Sequence, residues 1–300
     1  INTYLSESIN DTTLVIGYIQ DVHKGKVNVT SAIKVNPYQK PLRVIKNEIF
    51  TSINEYINTG DLISCVNTIN TFINLVNMKY VDIMVMENIF DENLDVIGYE
   101  LYAFFMECSK IIDDDNDAYL RLNTLSSLLN FNNRIIPDMF YNSITFLNKT
   151  LDLDLNYITL NKTLEILDTI TSNMNITYNS RIYINDVYEQ IVSSMIQHNI
   201  PNEDAVIMKS DNINLVVQKK TVDNMNNMSI SDNVSVSIPK NLTLGVSVVD
   251  LDLRDIKNNP YSSDVSVESN ILSFTIRQNN GGEIKIENTP QPFRLVMKIK

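Results

Sequence analysis

Tryptophan is absent from this 300-residue chain, which has only two histidines, two cysteines, seven glycines and eight prolines. Each scarcity closes off chemistry. His23 and His198 have no cysteine pair beside them, so a zinc site of ordinary composition cannot be assembled. No motif arranges a Ser or Cys nucleophile around either ring. The Gly281-Gly282 pair joins two alternating apolar runs and reads as a hairpin turn, not as a phosphate-binding loop. Positive charge is also short: 24 Lys and Arg against 36 Asp and Glu give a net charge of -12 and a pI near 4.6. No local basic block compensates, which argues against nucleic acid and anionic lipid as partners. The longest apolar runs, Ile83 to Met86 and Leu101 to Phe105, fall well below the ~18 residues of a membrane-spanning helix, so no direct membrane contact is expected within this segment. The chain starts at Ile1 without a signal-peptide pattern and reads as an interior piece of a longer protein. No cofactor and no metal is expected.

Asparagine is what the sequence has in excess, at 41 residues. Eight N-x-[ST] triplets result, at Asn10, Asn28, Asn148, Asn161, Asn175, Asn227, Asn233 and Asn241. About six would arise by chance from this composition, so the triplets are candidate glycosylation sites that carry little weight by number alone.

Three hundred residues suit two domains, or one large domain beside a fragment. Hydrophobic periodicity divides the chain at two places. Residues 1–36 alternate in apolar character at Leu14, Ile16 and Tyr18, turn at His23-Lys24-Gly25, and alternate again from Val27 to Val35. This is a β-hairpin, expected to be the last strands of a sandwich-like repeat. Residues 37–200 switch to helical spacing. Leu42, Ile45, Ile49, Ile53 and Ile57 form one stripe up to Gly60, and Asp61 is placed to cap a second helix carrying Leu62, Cys65, Ile69 and Val76. A third stripe runs from Leu94 to Ile112 and a fourth from Tyr119 to Leu129. Shorter helices are expected over Leu160 to Ile170 and Asn185 to Gln197. Residues 201–300 return to period two: Ile213/Leu215/Val217, Val234/Val236/Ile238, Val246/Val248, Leu272/Phe274/Ile276, Ile284/Ile286 and Phe293 to Ile299. Many short half-buried strands at this spacing make an antiparallel sandwich. Its last alternation, RLVMKIK, suits pairing with a strand supplied from beyond Lys300. The fold class expected is therefore α+β and multidomain.

The acidic run DDDND, Asp113 to Asp117, invites a calcium reading. An EF-hand loop starting at Asp113 needs Gly and Glu where the chain has Ala118 and Thr124, so the run reads as a loop whose Asn116 or Asp117 caps the helix beginning near Tyr119. Cys65 and Cys108 fall on inward stripes of neighbouring helices. In an oxidising compartment they can pair, closing a loop of about 43 residues worth roughly 4 kcal/mol. In a reducing one each is a small buried hydrophobe.

Several stretches occur in an order that carries more than any one of them. They are YINTGDLISCVNTINTFINLVN at Tyr56 to Asn77, HNIPNEDAVIMKSDNINLVVQK at His198 to Lys219, VSVSIPK at Val234 to Lys240, NNPYS at Asn258 to Ser262, and NGGEIKIENTPQPFRLVM at Asn280 to Met297. Together they resemble the end of the receptor-for-egg-jelly region and the GAIN domain of polycystin-1-like surface proteins. Asn202 stands where that family often has glycine, and Thr289 where leucine is more usual. The opening hairpin is similar to the last two strands of the fibronectin- or PKD-like repeats that precede such domains.

The resemblance implies a helical subdomain A followed by a β-sandwich subdomain B. It implies an ectodomain on the extracellular face of a plasma or ciliary membrane, with a carboxyl-terminal strand and a membrane domain of the same protein or complex as partners. Cleaved members of the family carry a His-Leu-[Ser/Thr] triplet before the final strand. This chain has none, and His198, followed by Asn199-Ile200 and lying ahead of the strands, does not match that position. The implied function is a non-enzymatic structural or receptor module. Two other readings stand beside it: a self-assembling adhesion or filament component, and an enzyme whose site the sequence does not reveal.

Overall fold

A computed structural model describes residues 12–20, 26–34, 42–77, 94–131, 135–173, 178–225, 227–231, 234–239, 242, 244–257, 270–279, 281–287, 289 and 291–297. Two compact units are distinguished, Ile1–Glu48 and Ile49–Lys300. In the first, β1 (Thr12–Gln20) and β2 (Lys26–Lys34) pair antiparallel, from Thr12 opposite Lys34 to Gln20 opposite Lys26. The turn that contains His23 lies outside the described residues.

The second unit is α+β: helices first, then two antiparallel sheets. The helices are α1 (Leu42–Thr59, which begins in the first unit), α2 (Leu62–Leu75), α3 (Leu94–Cys108), α4 (Asp115–Phe131), α5 (Pro137–Leu151), α6 (Tyr157–Ser172) and α7 (Tyr178–Gln197). Gly60 ends α1 at φ 76°, a conformation that costs glycine little, and the Asp61 side chain then accepts from Ser64 N at 3.1 Å to start α2. Helix α4 packs against α2, α3 and α6, and α7 packs against α5 and α6. Their apolar faces meet in buried side chains such as Ile69, Phe72, Leu101, Phe105, Leu122, Leu147 and Leu164. Asparagine-rich helices gain little from propensity, so this burial is what holds them.

Two helical features differ from the sequence reading. Helix α4 begins at Asp115, and its opening is capped by Asp114, whose Oδ1 accepts from Asp117 N at 2.9 Å. Helix α5 is an additional element, with Pro137 in its first turn and Met139, Phe140, Ile144, Phe146 and Leu147 buried. Proline is tolerated there because the first-turn N–H groups have no helical partner to lose.

The strands are β3 (Val206–Lys209), β4 (Ile213–Thr221), β5 (Met228–Ser231), β6 (Val234–Ser237), β7 (Val248–Ile256), β8 (Ile271–Gln278) and β9 (Arg294–Val296). One sheet has the order β3-β4-β7-β8 and the other β5-β6-β9. They share one apolar cluster, to which Val216, Val249, Leu251, Leu253 and Ile276 come from the first sheet and Met228, Val234 and Val236 from the second. The other face of the four-stranded sheet meets the helices, through contacts of α7 with β4 and of α6 with β3.

Candidate functional site

Strand β8 is the last strand of its sheet, and its sandwich-side residues are Leu272, Phe274 and Ile276. Beyond it the chain reverses at Gly281, φ 84°, with Gln278 N bonded to Gly282 O at 2.7 Å. Positive φ makes glycine the natural residue at that turn. The returning chain touches β8 through a bridge between Arg277 and Glu283 and a bond from Ile284 N to Ile276 O at 2.9 Å. It then leaves. Among the described residues no strand pairs with the outer edge of β8 over Ile271–Thr275.

A cleft of about 450 Å³ opens at that divergence, lined by Phe274, Ile276, Ile284, Ile286, Thr289 and Phe293, with Thr275 and Glu283 completing it. The rings of Phe274 and Phe293 are 5.9 Å apart. Phe293 leads into β9, which among the described residues pairs with β6 alone, from Ser237 opposite Arg294 to Ser235 opposite Val296. Leu295 of β9 and Met297 just after it, which alternate with Phe293, are not covered: they are 50% and 43% exposed. An apolar cleft, an unpaired backbone edge and an uncovered strand face therefore adjoin. Such a place accepts an extended peptide, through main-chain hydrogen bonds for affinity and alternate side-chain sockets for selectivity. Its lining holds one carboxylate and two threonine hydroxyls, with no histidine or cysteine to activate them.

The opposite face of the same sheet carries charge. On β7 the alternation Val249/Leu251/Leu253 points into the shared apolar cluster, which leaves Asp250, Asp252 and Arg254 on the helix side. All three are buried. Glu189 of α7 clasps two arginines, with Oε1 2.5 Å from Arg254 Nη2 and Oε2 2.6 Å from Arg277 Nη2. Asp252 accepts from Arg254 Nε at 3.0 Å and Arg277 Nε at 3.1 Å. Lys219, opposite Asp250 in the ladder, donates to Asn279 Oδ1 at 3.1 Å and lies 3.8 Å from Asp250 Oδ1. Loss of hydration pushes the Asp250 carboxyl above its ordinary range, against the opposing pull of Lys219 and Arg277. Burial also works against the charge of Arg254, but Asp252 and Glu189 more than offset it and hold its pKa above the usual value.

The residues singled out from sequence fall as follows. Cys65 on α2 and Cys108 at the end of α3 are joined in a disulfide, with Cα atoms 6.4 Å apart. Arg121, buried on α4, donates to the Cys108 carbonyl and, through Nε, to Asp117 at 2.8 Å, so a cation sits where the α3 helix dipole is negative. In the acidic run Asp113 N donates to Asp117, and Asp115 accepts from Asn156 N at 3.0 Å. These carboxylates are engaged as caps, and no group of three or more His, Cys, Asp or Glu among the described residues is placed to hold a metal ion.

His198 lies 3.2 Å from Asp154 and is half exposed. Of the glycosylation triplets, Asn148 and Asn161 lie on α5 and α6, and their acceptor-motif hydroxyls Thr150 and Thr163 are buried and bonded to Phe146 O and Thr159 O. Asn161 itself donates to Glu165 at 3.0 Å. Asn227 is exposed, Asn28 lies in β2, and Asn10, Asn175, Asn233 and Asn241 are outside the described residues. No helix among the described residues is long and apolar enough to cross a membrane.

The last alternation, Phe293 to Ile299, was legible as a strand and contains β9, whereas the charged face was missed entirely. Its signal was present in VVDLDLRDI, where acidic and basic residues alternate with leucine. No protein-family model matches the chain, and no curated protein is significantly similar to it.

Proposed function

We propose that this chain is a non-enzymatic extracellular module of a polycystin-1-like membrane protein, which seats an additional β-strand at the β8/β9 edge and passes adhesion or force to a membrane segment. The observation that carries this reading is the uncovered apolar face of β9 beside the unpaired outer edge of β8 and the cleft between them. A monomeric sheet left this way exposes both backbone donors and hydrocarbon, which proteins usually protect. The Cys65–Cys108 bond supports an oxidising compartment, where disulfides persist. The resemblance in the order of motifs supplies the kind of membrane protein. Both partner and force role rest on that resemblance.

The test compares hydrogen exchange in this chain alone and in the full native polypeptide expressed in a secretory host. A seated strand slows the outer-edge amides of Ile271–Thr275 by about 100-fold, the protection expected of a paired strand. Equal exchange in the two proteins, or a native product found in the cytosol with free thiols, overturns the reading.

A further inference from the structure

The contact between the helices and the four-stranded sheet changes character across the sheet. At β3 and β4 it is hydrocarbon: Met208, Ile213, Leu215 and Val217 are at most 1% exposed and lie outside the apolar cluster that the two sheets share. A hydrogen-bonded clasp that contains no ion pair reinforces this side, since Asp168 of α6 accepts from Asn212 N at 2.9 Å and from Asn212 Nδ2 at 3.1 Å. At β7 and β8 the contact is charge. Glu189 from α7 faces Lys219 of β4, Asp250, Asp252 and Arg254 of β7, and Arg277 of β8, three acids against three bases. Beside them a cleft of about 460 Å³ runs between helix and sheet, lined by Ser193, Ile196 and Gln197 on one wall and Asp250, Arg277 and Asn279 on the other.

The two sides answer separation differently. Parting hydrocarbon exposes area to water with nothing gained in return. Parting a balanced set of ions loses Coulomb attraction but recovers hydration, and the two are of comparable size. Water already has a foothold, because the Glu189 side chain is 42% exposed.

We infer that α7 and the β7–β8 half of the sheet open and close as a hinge, pivoting on the packed Met208/Leu215/Val217 side, with ionic strength setting the balance. Closed, each charge has an opposite charge within 3.8 Å and dissolved salt adds little. Open, six charges face solvent, and salt lowers their free energy, so it favours the open form. The hinge is independent of strand seating at β8 and β9. Either can fail without the other.

The experiment is hydrogen exchange with mass spectrometry on the unmodified chain, from about 0.05 to about 1 M NaCl, a range over which the screening length falls several-fold. Peptides covering Glu189–Gln197 and Ile271–Gln278 are expected to exchange at least about threefold faster at high salt, the order of effect expected from screening charges exposed only on opening. Peptides covering Val206–Val217, which hold the pivot and none of the six charges, should not change. Glu189→Gln, which weakens both arginine clasps, should accelerate the same two segments about tenfold at low salt and flatten the salt response. Acceleration spread equally over β3 and β4, or no salt response in any segment, overturns the hinge. If the variant does not fold, the salt series on the unmodified chain decides alone.

Discussion

Strand β7 has two faces of opposite chemistry. Val249, Leu251 and Leu253 point into a hydrocarbon cluster, while Asp250, Asp252 and Arg254 point toward α7. Both faces are buried. The first is held by area removed from water and by close packing, which have no conditional element. The second is held by ions that water, protons or salt can satisfy instead. One strand thus belongs to a permanent contact on one side and a conditional one on the other.

The comparison can be broken most forcefully on the hydrocarbon side. Leu251→Ala removes a fully buried side chain from the shared cluster and is expected to cost about 3–4 kcal/mol in urea denaturation, the range for buried leucine truncations. Arg254→Met attacks the charged side and should cost about 2–3 kcal/mol in the same assay. That is less than for a fully buried pair, because Arg277 still bonds Asp252 and Glu189 and the latter is partly hydrated.

Replacing the lattice together, as Glu189→Met, Asp252→Leu, Arg254→Met and Arg277→Met, should then return stability to within about 1 kcal/mol of the unmodified protein or raise it, since no ion is left without a partner among the four. A loss as large as that of Leu251→Ala would mean that the two faces are energetically alike. The smallest effect concerns Asp250. Its carboxyl pKa is raised by burial, so the folded protein binds this proton more tightly than the unfolded chain does. Stability from this group is present below the ordinary carboxylate pKa and is lost as pH rises through the raised value. Asp250→Asn should therefore melt slightly higher than the unmodified protein at pH 7. The advantage should vanish on acidification below about pH 4. A melting curve series settles the sign.

The same strand explains what could be read from the sequence and what could not. Helical stripes at Ile45/Ile53, at Cys65/Ile69 and at Leu101/Phe105 carry period 3.6 with an apolar face, and each corresponds to a helix. The Asp61 cap was legible because its side chain acts on its own neighbours. Helix α5 was passed over because asparagine and threonine interrupt its apolar spacing, although Pro137 marked its start. Strand β3 (VIMK) places three apolar residues in a row instead of alternating them, β5 (MSIS) is short and sits among asparagines and serines, and both are fixed by their partners β4 and β6. In β7 the alternation was clear, but charges at every second position look like a solvent face. Only tertiary structure supplies the opposing charges that make burial of that face tolerable: Glu189, 65 residues before Arg254, and Lys219 and Arg277 against Asp250 and Asp252. Near the carboxyl end the alternation of Phe293, Leu295 and Met297 was legible as a strand, and β9 falls within it, with Leu295 and Met297 half exposed.

The far edge of the four-stranded sheet is built differently. Strand β3 offers only four residues there, and the Tyr157 hydroxyl of α6 donates to the Ile207 carbonyl on its outer side. Among the described residues one margin of the sheet is thus stoppered and the other unpaired over Ile271–Thr275, like a primer with a single extendable end. It can be completed once, by one strand. A second copy added there would present its own stoppered margin or compete for the same bare one, so growth stops at the first addition and a fibre has no register in which to propagate.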